Sequence, residues 1–218
     1  MPRTPSAAGS RRVRELGGSV LLVFASRNPD KIAELKHALA DLPCRVSSAA
    51  DFPQVPEVEE TGQTLEENAL LKARAVCRAT GELALADDTG LEVDVLDGAP
   101  GVASGRFAGP EQDYERNLVK LLELLTGVPE SKRGARFRTV IALCFPDGRE
   151  ELAEGVCPGT ILTERRGRGG FGYDPVFFVP QAGKTFAEMS LAEKGCISHR
   201  GRAMARAREI LAPIVEGA

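Results

Sequence analysis

Residues 20–25 read Val-Leu-Leu-Val-Phe-Ala, an unbroken apolar run of strand length. A strand without polar alternation is buried on both faces, as in sheets covered by helices on each side. The run stops at Ser26-Arg27-Asn28-Pro29-Asp30-Lys31, and the stop is itself a helix start. Asn28 suits the N-cap, Pro29 the first helical position, and Asp30 the positive end of the dipole. A helix is expected to about residue 40, with Ile32, Leu35, Ala38 and Leu39 inward. A strand feeding a helix start points free N–H groups outward, a ready place for an anion. Ser26, Asn28 and Lys31 would add side-chain donors. The stretch lacks the glycines of a Walker loop, which excludes a P-loop NTPase.

Further along, an apolar run over 83–86 and an alternating run over 91–95 flank Asp87-Asp88-Thr89-Gly90. These four residues are expected as a turn between two strands. Adjacent carboxylates repel unless they are solvated or share a cation. On this stretch alone an ordinary acidic turn accounts for them. Upstream, Thr64-Leu65-Glu66-Glu67 reads as a capping box opening a helix to about Thr80, closed by Gly81. Leu65, Ala69, Ala73, Val76 and Cys77 form its buried stripe. Asn68 and Lys72 share another face at i, i+4 spacing, where a solvated lysine is the ordinary outcome.

Residues 97–110 are glycine-dense, which permits close backbone approach to a ligand and equally suits a surface loop. Residues 111–125 read as an amphipathic helix, and 135–156 as a hairpin turning at Pro146-Asp147-Gly148-Arg149. A basic, glycine-rich loop over 165–175 ends in Phe171 and Tyr173, which could stack a base or pack in the core. Ser198 caps a last helix that begins with His199 and Arg200. Cations are unfavourable at a helix N-terminus, and a local violation of that kind often marks a ligand site.

The chain has 218 residues, 43% hydrophobic and 27% charged, with a net charge of −3. That suffices for one large domain or two small lobes. Acid and base are mixed, without the basic excess of a nucleic-acid binder. No apolar run approaches the roughly 18 residues that cross a bilayer. The five cysteines are scattered without a C-x-x-C, which fits reduced thiols in a cytoplasmic protein rather than a disulfide framework or a zinc site. Residues 1–19 lack apolar periodicity and are expected to be a disordered tail ahead of a single two-lobed domain over 20–218.

In order, these pieces resemble the inosine triphosphate pyrophosphatase family, which cleans non-standard purine nucleotides from the nucleotide pool. The matching segments begin with Ser26-x-Asn28-x-x-Lys31, then Glu60-Thr61-Gly62 with Glu67-Asn68-Ala69 and Lys72-Ala73-Arg74. Ala86-Asp87-Asp88-Thr89-Gly90-Leu91 follows, then Gly98-Ala99-Pro100-Gly101-Val102 through Arg106. Last come Gly169-Gly170-Phe171-Gly172-Tyr173-Asp174-Pro175 and Glu193-Lys194 with Ser198-His199-Arg200-Gly201. Each is weak alone, but together in this order they are specific. The resemblance implies an α/β fold: an elongated mixed twisted sheet with flanking helices, and two lobes around a central substrate cleft. It also implies Mg²⁺ and a homodimer, with neither nucleic acid nor membrane as partner.

The reaction so implied is attack of water at the α-phosphorus of ITP, dITP or XTP, releasing pyrophosphate. By the same resemblance Glu60 and Asp88 hold Mg²⁺, Asp88 is the proton acceptor, and Asp87 supports it. A tight metal ligand is a poor base, and a water-mediated metal contact would reconcile the two roles. Ser26, Arg27, Asn28, Lys31 and Lys72 are expected around the triphosphate. Thr89, Phe171, Gly172, Tyr173, Asp174, Lys194, His199 and Arg200 are expected at the nucleoside end, with Ser104 and Arg106 as further contacts. Three residues depart from the family's pattern: Arg27 replaces a glycine, Thr89 a serine, and Phe107 a tyrosine. Arg27 is long enough to narrow the phosphate pocket or to add a contact there. Two other readings remain. A septum-site-type nucleotide pyrophosphatase would open with Ser-x-Ser-Pro-Arg-Arg, absent here. A catalytically dead nucleotide-binding module predicts lost carboxylates, yet Glu60, Asp87 and Asp88 stand.

Overall fold

In the computed structural model, which describes residues 20–217, β1 (Val20–Phe24) feeds α1 (Pro29–Ala38) through Asn28, and β2 (Cys44–Ser48) returns parallel to β1. The tail expected over 1–19 lies outside the described residues. The Asn28 side chain accepts from the amides of Asp30 and Lys31, so the cap forms as its sequence dictates. Next come α2 (Leu65–Thr80), β3 (Leu83–Val93), β4 (Pro100–Gly101), α3 (Tyr114–Leu124), β5 (Gly134–Cys144) and β6 (Glu150–Ile161). The chain ends with β7 (Phe177–Val179), β8 (Lys184–Thr185), α4 (Leu191–Ile197) and α5 (His199–Val215).

The strands form one eight-stranded mixed sheet in the order β2-β1-β3-β5-β6-β7-β8, with β4 paired to β3. β2, β1 and β3 are parallel, and every other pairing is antiparallel. Helices cover both faces at the parallel end. Leu22, Phe24, Leu83 and Leu85 pack with α1 and α5, whereas Val23, Ala84 and Ala86 pack with α2. The long strands β3, β5 and β6 run on into a separate apolar cluster. There Leu91, Val93 and Phe137 meet Leu118 and Leu121 of α3, Phe177 of β7, and Phe186. These clusters are the cores of two lobes bridged by one sheet.

Several expectations change. Asp87 to Gly90 is no turn. Those residues lie inside β3, which pairs with β5 without a break from Ala84 to Val93. Adjacent charges and a glycine imitate a turn, but both carboxylates are compensated by buried cations described below. β6 continues past Val156 through Pro158 to Ile161. Only β5 borders it at Pro158, and an edge tolerates a missing N–H. α3 begins at Tyr114 rather than 111, because Asp113 accepts from the Arg116 amide as the cap. A short helix, α4, precedes α5, and Ser198 ends one and caps the other. Thr64 caps α2, but the Glu67 carboxylate reaches the amide of Gln63, not that of Thr64.

Candidate active site

A cleft of about 660 Å³ opens between the lobes. Ser26, Arg27, Asn28, Lys31, Glu60, Lys72, Asp88, Thr89, Phe171, Gly172, Tyr173, Asp174, Lys194, His199 and Arg200 all line it, as do Ser104 and Arg106. Every site residue expected from the sequence is therefore brought to one cavity.

The paired aspartates explain its layout. Side chains alternate across a strand, so Asp87 follows Leu83 and Leu85 to the α1/α5 face, and Asp88 follows Ala84 and Ala86 to the α2 face. Asp87 meets Lys31 of α1 at 3.0 Å and Arg200 of α5 at 3.2 Å. Asp88 meets Lys72 of α2 at 2.8 Å and the amide of Asn68 at 3.3 Å. Burial pushes the Asp87 carboxyl up, but Lys31, Arg200 and Lys72 outweigh it and hold it well below the usual carboxylate range. Asp88 goes the other way. Burial and the charge of Glu60 raise it, only partly opposed by Lys72. One strand thus presents a firmly ionised carboxylate and, beside it, one with raised proton affinity.

Lys72 joins two carboxylates, with Nζ 2.7 Å from Glu60 and 2.8 Å from Asp88. Burial lowers the Lys72 pKa, and Asp88 and Glu60 more than restore it. Arg106 reaches the Glu60 carbonyl at 2.8 Å and its carboxylate at 3.5 Å. Arg27 lines the cleft with its guanidinium donating to the Val55 carbonyl at 3.3 Å.

At the other end, Arg200 donates to Glu34, Asp87 and Thr89 at 2.5, 3.2 and 3.3 Å, so three of its five N–H groups are spent inside the protein. Lys194 sits between Asp174 at 2.8 Å and Glu34 at 3.2 Å. Asp174 also accepts the Phe171 amide at 3.0 Å, so that N–H is not open to a ligand. Gly170, at φ +70°, makes this loop possible, because a Cβ there would collide with the Asp174 carboxylate. Tyr173 is buried with its hydroxyl on the Ser104 carbonyl at 2.9 Å, so it ties two loops together. Phe171 stays partly open, with Lys194 and Arg200 over its ring at 5.2 and 5.7 Å.

The apparent dipole violation at α5 resolves. His199 stacks on Phe137 at 4.5 Å and is buried. Burial first, then Arg200 and Lys194, press its pKa well below the ordinary value, so it is neutral. Its Nδ1 is buried without a partner among the described residues. Arg200 is neutralised by Asp87 and Glu34 rather than facing the helix dipole alone.

Four contributors were missed in the sequence. Asn68 orients Asp88 while accepting the Gly62 amide at 2.8 Å. Glu34 joins Arg200 to Lys194. Thr139 shares a hydroxyl contact of 2.8 Å with Thr89, its register partner across β3 and β5. Tyr114 accepts from Asn28 at 2.9 Å. Asn68 stood in a quoted motif, and its i, i+4 spacing from Lys72 was the available signal. The other three carry none, because each meets its partner only through the sheet or across the cleft.

A family model described as the Ham1 family matches residues 22–210. A Desulforamulus reducens protein named dITP/XTP pyrophosphatase is 54% identical over 190 residues, which are 87% of this chain and 94% of that one. One of the same name from Geobacter sulfurreducens is 50% identical, covering 87% and 96%. The solved structure of a HAM1 protein from Coxiella burnetii is 43% identical with a TM-score of 0.80, over 88% of this chain and 98% of that one. That of the Staphylococcus aureus Ham1 protein is 40% identical with a TM-score of 0.78, over 88% and 97%.

Proposed function

The chain belongs to the Ham1 family, and from that premise we propose that it hydrolyses dITP, XTP and ITP to the monophosphate and pyrophosphate, as a cytoplasmic enzyme of the nucleotide pool. One observation carries the reading: a strand that places Asp88, raised by burial, beside Lys72 and Glu60 in a cleft with an aromatic and cationic far end. Asp88 takes the proton from the attacking water, and its raised pKa makes it a better acceptor than an exposed aspartate. Lys31 and Lys72 exchange part of their carboxylate contact for phosphate oxygens, and the Ser26 hydroxyl and the second Nδ2 hydrogen of Asn28 hold the same chain, the first amides of α1 being taken by the Asn28 cap.

The Mg²⁺ implied by the family fits the donors present. Glu60 and Asp88 already converge on a single cation, the Lys72 ammonium, and Mg²⁺ asks for only one or two carboxylates besides phosphate and water. Bound there, it would neutralise charge on the phosphates.

Base choice follows from hydrogen-bond matching. Hypoxanthine and xanthine offer a 6-oxo acceptor, and adenine a 6-amino donor. The unspent N–H groups of Arg200 suit the former, and leaving a buried donor unpaired costs about 1–3 kcal/mol. Phe171 stacks without discriminating. The test is pyrophosphate release from dITP, ITP, XTP, GTP, ATP and CTP with Mg²⁺. The first three should lead by well over tenfold in kcat/KM, and equal values for ATP and dITP would overturn the assignment. The implied homodimer is checked by light scattering, where a monomeric mass would remove it.

A further inference from the structure

Tyr114 opens α3 at the mouth of the cleft and is 40% exposed, so its ring does not serve the core. It bridges the two ends of the site. Its hydroxyl accepts from Asn28 Nδ2 at 2.9 Å, and its ring lies 5.7 Å from that of Phe171. Asn28 belongs to the loop proposed to hold the triphosphate, and Phe171 to the nucleoside end.

The hydrogen-bond inventory of this contact is incomplete in an informative way. Asn28 Oδ1 is taken by the amides of Asp30 and Lys31. Its remaining capacity is therefore donation from Nδ2, and Tyr114 receives it. The tyrosine oxygen accepts that bond, which leaves its own proton with no acceptor among the described residues, although a phenol can donate and accept at once. An unspent donor thus lies in the lining of the cleft, 2.9 Å from the phosphate loop, on a residue whose ring neighbours that of Phe171. In a nucleotide, the group between base and phosphates is the sugar. α3 itself is pinned to the cleft wall, since Asn117 joins the Gly105 carbonyl at 2.8 Å to the Ala108 amide at 2.6 Å. Glu115, the next residue, holds Arg165 of the nucleoside loop at 2.8 Å. Tyr114 therefore stands on a fixed element.

We propose that Tyr114 is a substrate-binding residue that donates its phenol proton to the sugar of the bound nucleotide and packs its ring beside Phe171. The 3′-hydroxyl is present in ribose and deoxyribose alike, so the contact serves both. This inference rests on the nucleotide reading above.

The test is binding of dITP in Ca²⁺, expected to support little turnover, measured by titration calorimetry, together with steady-state kinetics in Mg²⁺. The proteins are the unmutated chain, Tyr114→Phe and Tyr114→Leu. Losing one hydrogen bond corresponds to roughly two- to tenfold, and losing the ring adds to it. Tyr114→Phe should raise Kd and KM about three- to tenfold, and Tyr114→Leu more than tenfold. Each should change KM more than kcat, and leave the thermal midpoint within about 2 °C, as expected for a surface site. Unchanged Kd and KM in both variants would overturn the proposal, as would a kcat loss that tracks a falling midpoint. If the unmutated protein binds dITP without hydrolysing it, the activity reading fails, while the shift in Kd still supports Tyr114. Absence of binding by the unmutated protein would overturn both.

Discussion

Asp87 and Asp88 are chemically identical neighbours made different by parity. The strand turns one toward Lys31 and Arg200 and the other toward Lys72, Asn68 and Glu60, and their proton affinities part accordingly. Asp88→Asn keeps the shape and removes the base, so kcat should fall at least roughly a hundredfold with the circular dichroism spectrum retained. Near-normal turnover would exclude Asp88 from the chemistry. His199 supplies a stability prediction. Its folded pKa is pressed well below 6.5 by burial and by Arg200 and Lys194, against a weaker opposing pull from Asp87. As pH drops through that ordinary value, the unfolded chain takes up a proton that the folded chain refuses, so stability falls. The denaturant midpoint should decline between pH 7.5 and 5.5, and His199→Phe, which keeps a ring against Phe137, should flatten the decline. Equal slopes in the two proteins would assign the effect elsewhere. Residue identities were legible because they stood in ordered motifs. Their partners Glu34, Thr139 and Tyr114 were not, since each meets the site only across the tertiary fold.

Local signals sufficed for elements that carry their own punctuation. Asn28-Pro29, Thr64 and Gly81, and Ser198 act within one turn of chain and are read directly, whereas Asp113 carries the same kind of signal but the apolar pattern alone starts the helix at 111. β3 could not be read this way, because what keeps two buried aspartates in a strand is charge from α1, α2 and α5. β6 was cut short at Val156 for a related reason. Pro158 and Gly159 look like breakers until the open edge beside them is known. Gly155 of β6 shows what element packing demands. A Cβ there would fall on the His199 carbonyl oxygen and the Ala203 amide nitrogen, both backbone atoms of α5. Gly155→Ala must push α5 from the sheet and carry Arg200 with it. Overpacking of this kind costs about 1–3 kcal/mol, or a fall of roughly 3–10 °C in Tm for a chain of this length, and kcat/KM for dITP should fall at least tenfold. Gly195→Ala, whose Cβ meets open space, is the control and should leave Tm within about 2 °C. A Gly155→Ala protein as stable as the control would show that α5 yields without penalty.

Over the whole molecule, the cleft is a chain of alternating charges. Arg106, Glu60, Lys72 and Asp88 run along one side of β3, while Lys31, Asp87, Arg200, Glu34, Lys194 and Asp174 run along the other. Five cations face five carboxylates along these two rows, and the other charged residues of the lining, Arg27, Glu57 and Glu59, add no positive excess, so the site holds no surplus of cations before substrate arrives. The chain as a whole is at −3 and offers a polyanion no long-range attraction. A nucleoside triphosphate entering this cleft brings charge that the protein has not reserved cations to meet, because Lys31, Lys72, Lys194 and Arg200 are each already committed to a carboxylate. On the proposed function the positive charge comes from Mg²⁺, which Glu60 and Asp88 would hold. Activity should therefore be lost in EDTA and restored by Mg²⁺. Ca²⁺ should support little, since its longer bonds and looser geometry misplace the phosphates. The requirement should sharpen in Glu60→Gln, with the Mg²⁺ concentration for half-maximal rate rising at least tenfold while the thermal midpoint is held. Pyrophosphate release from dITP that persists undiminished in EDTA would mean that the lysines alone neutralise the substrate, and the proposed metal role of Glu60 and Asp88 would fall.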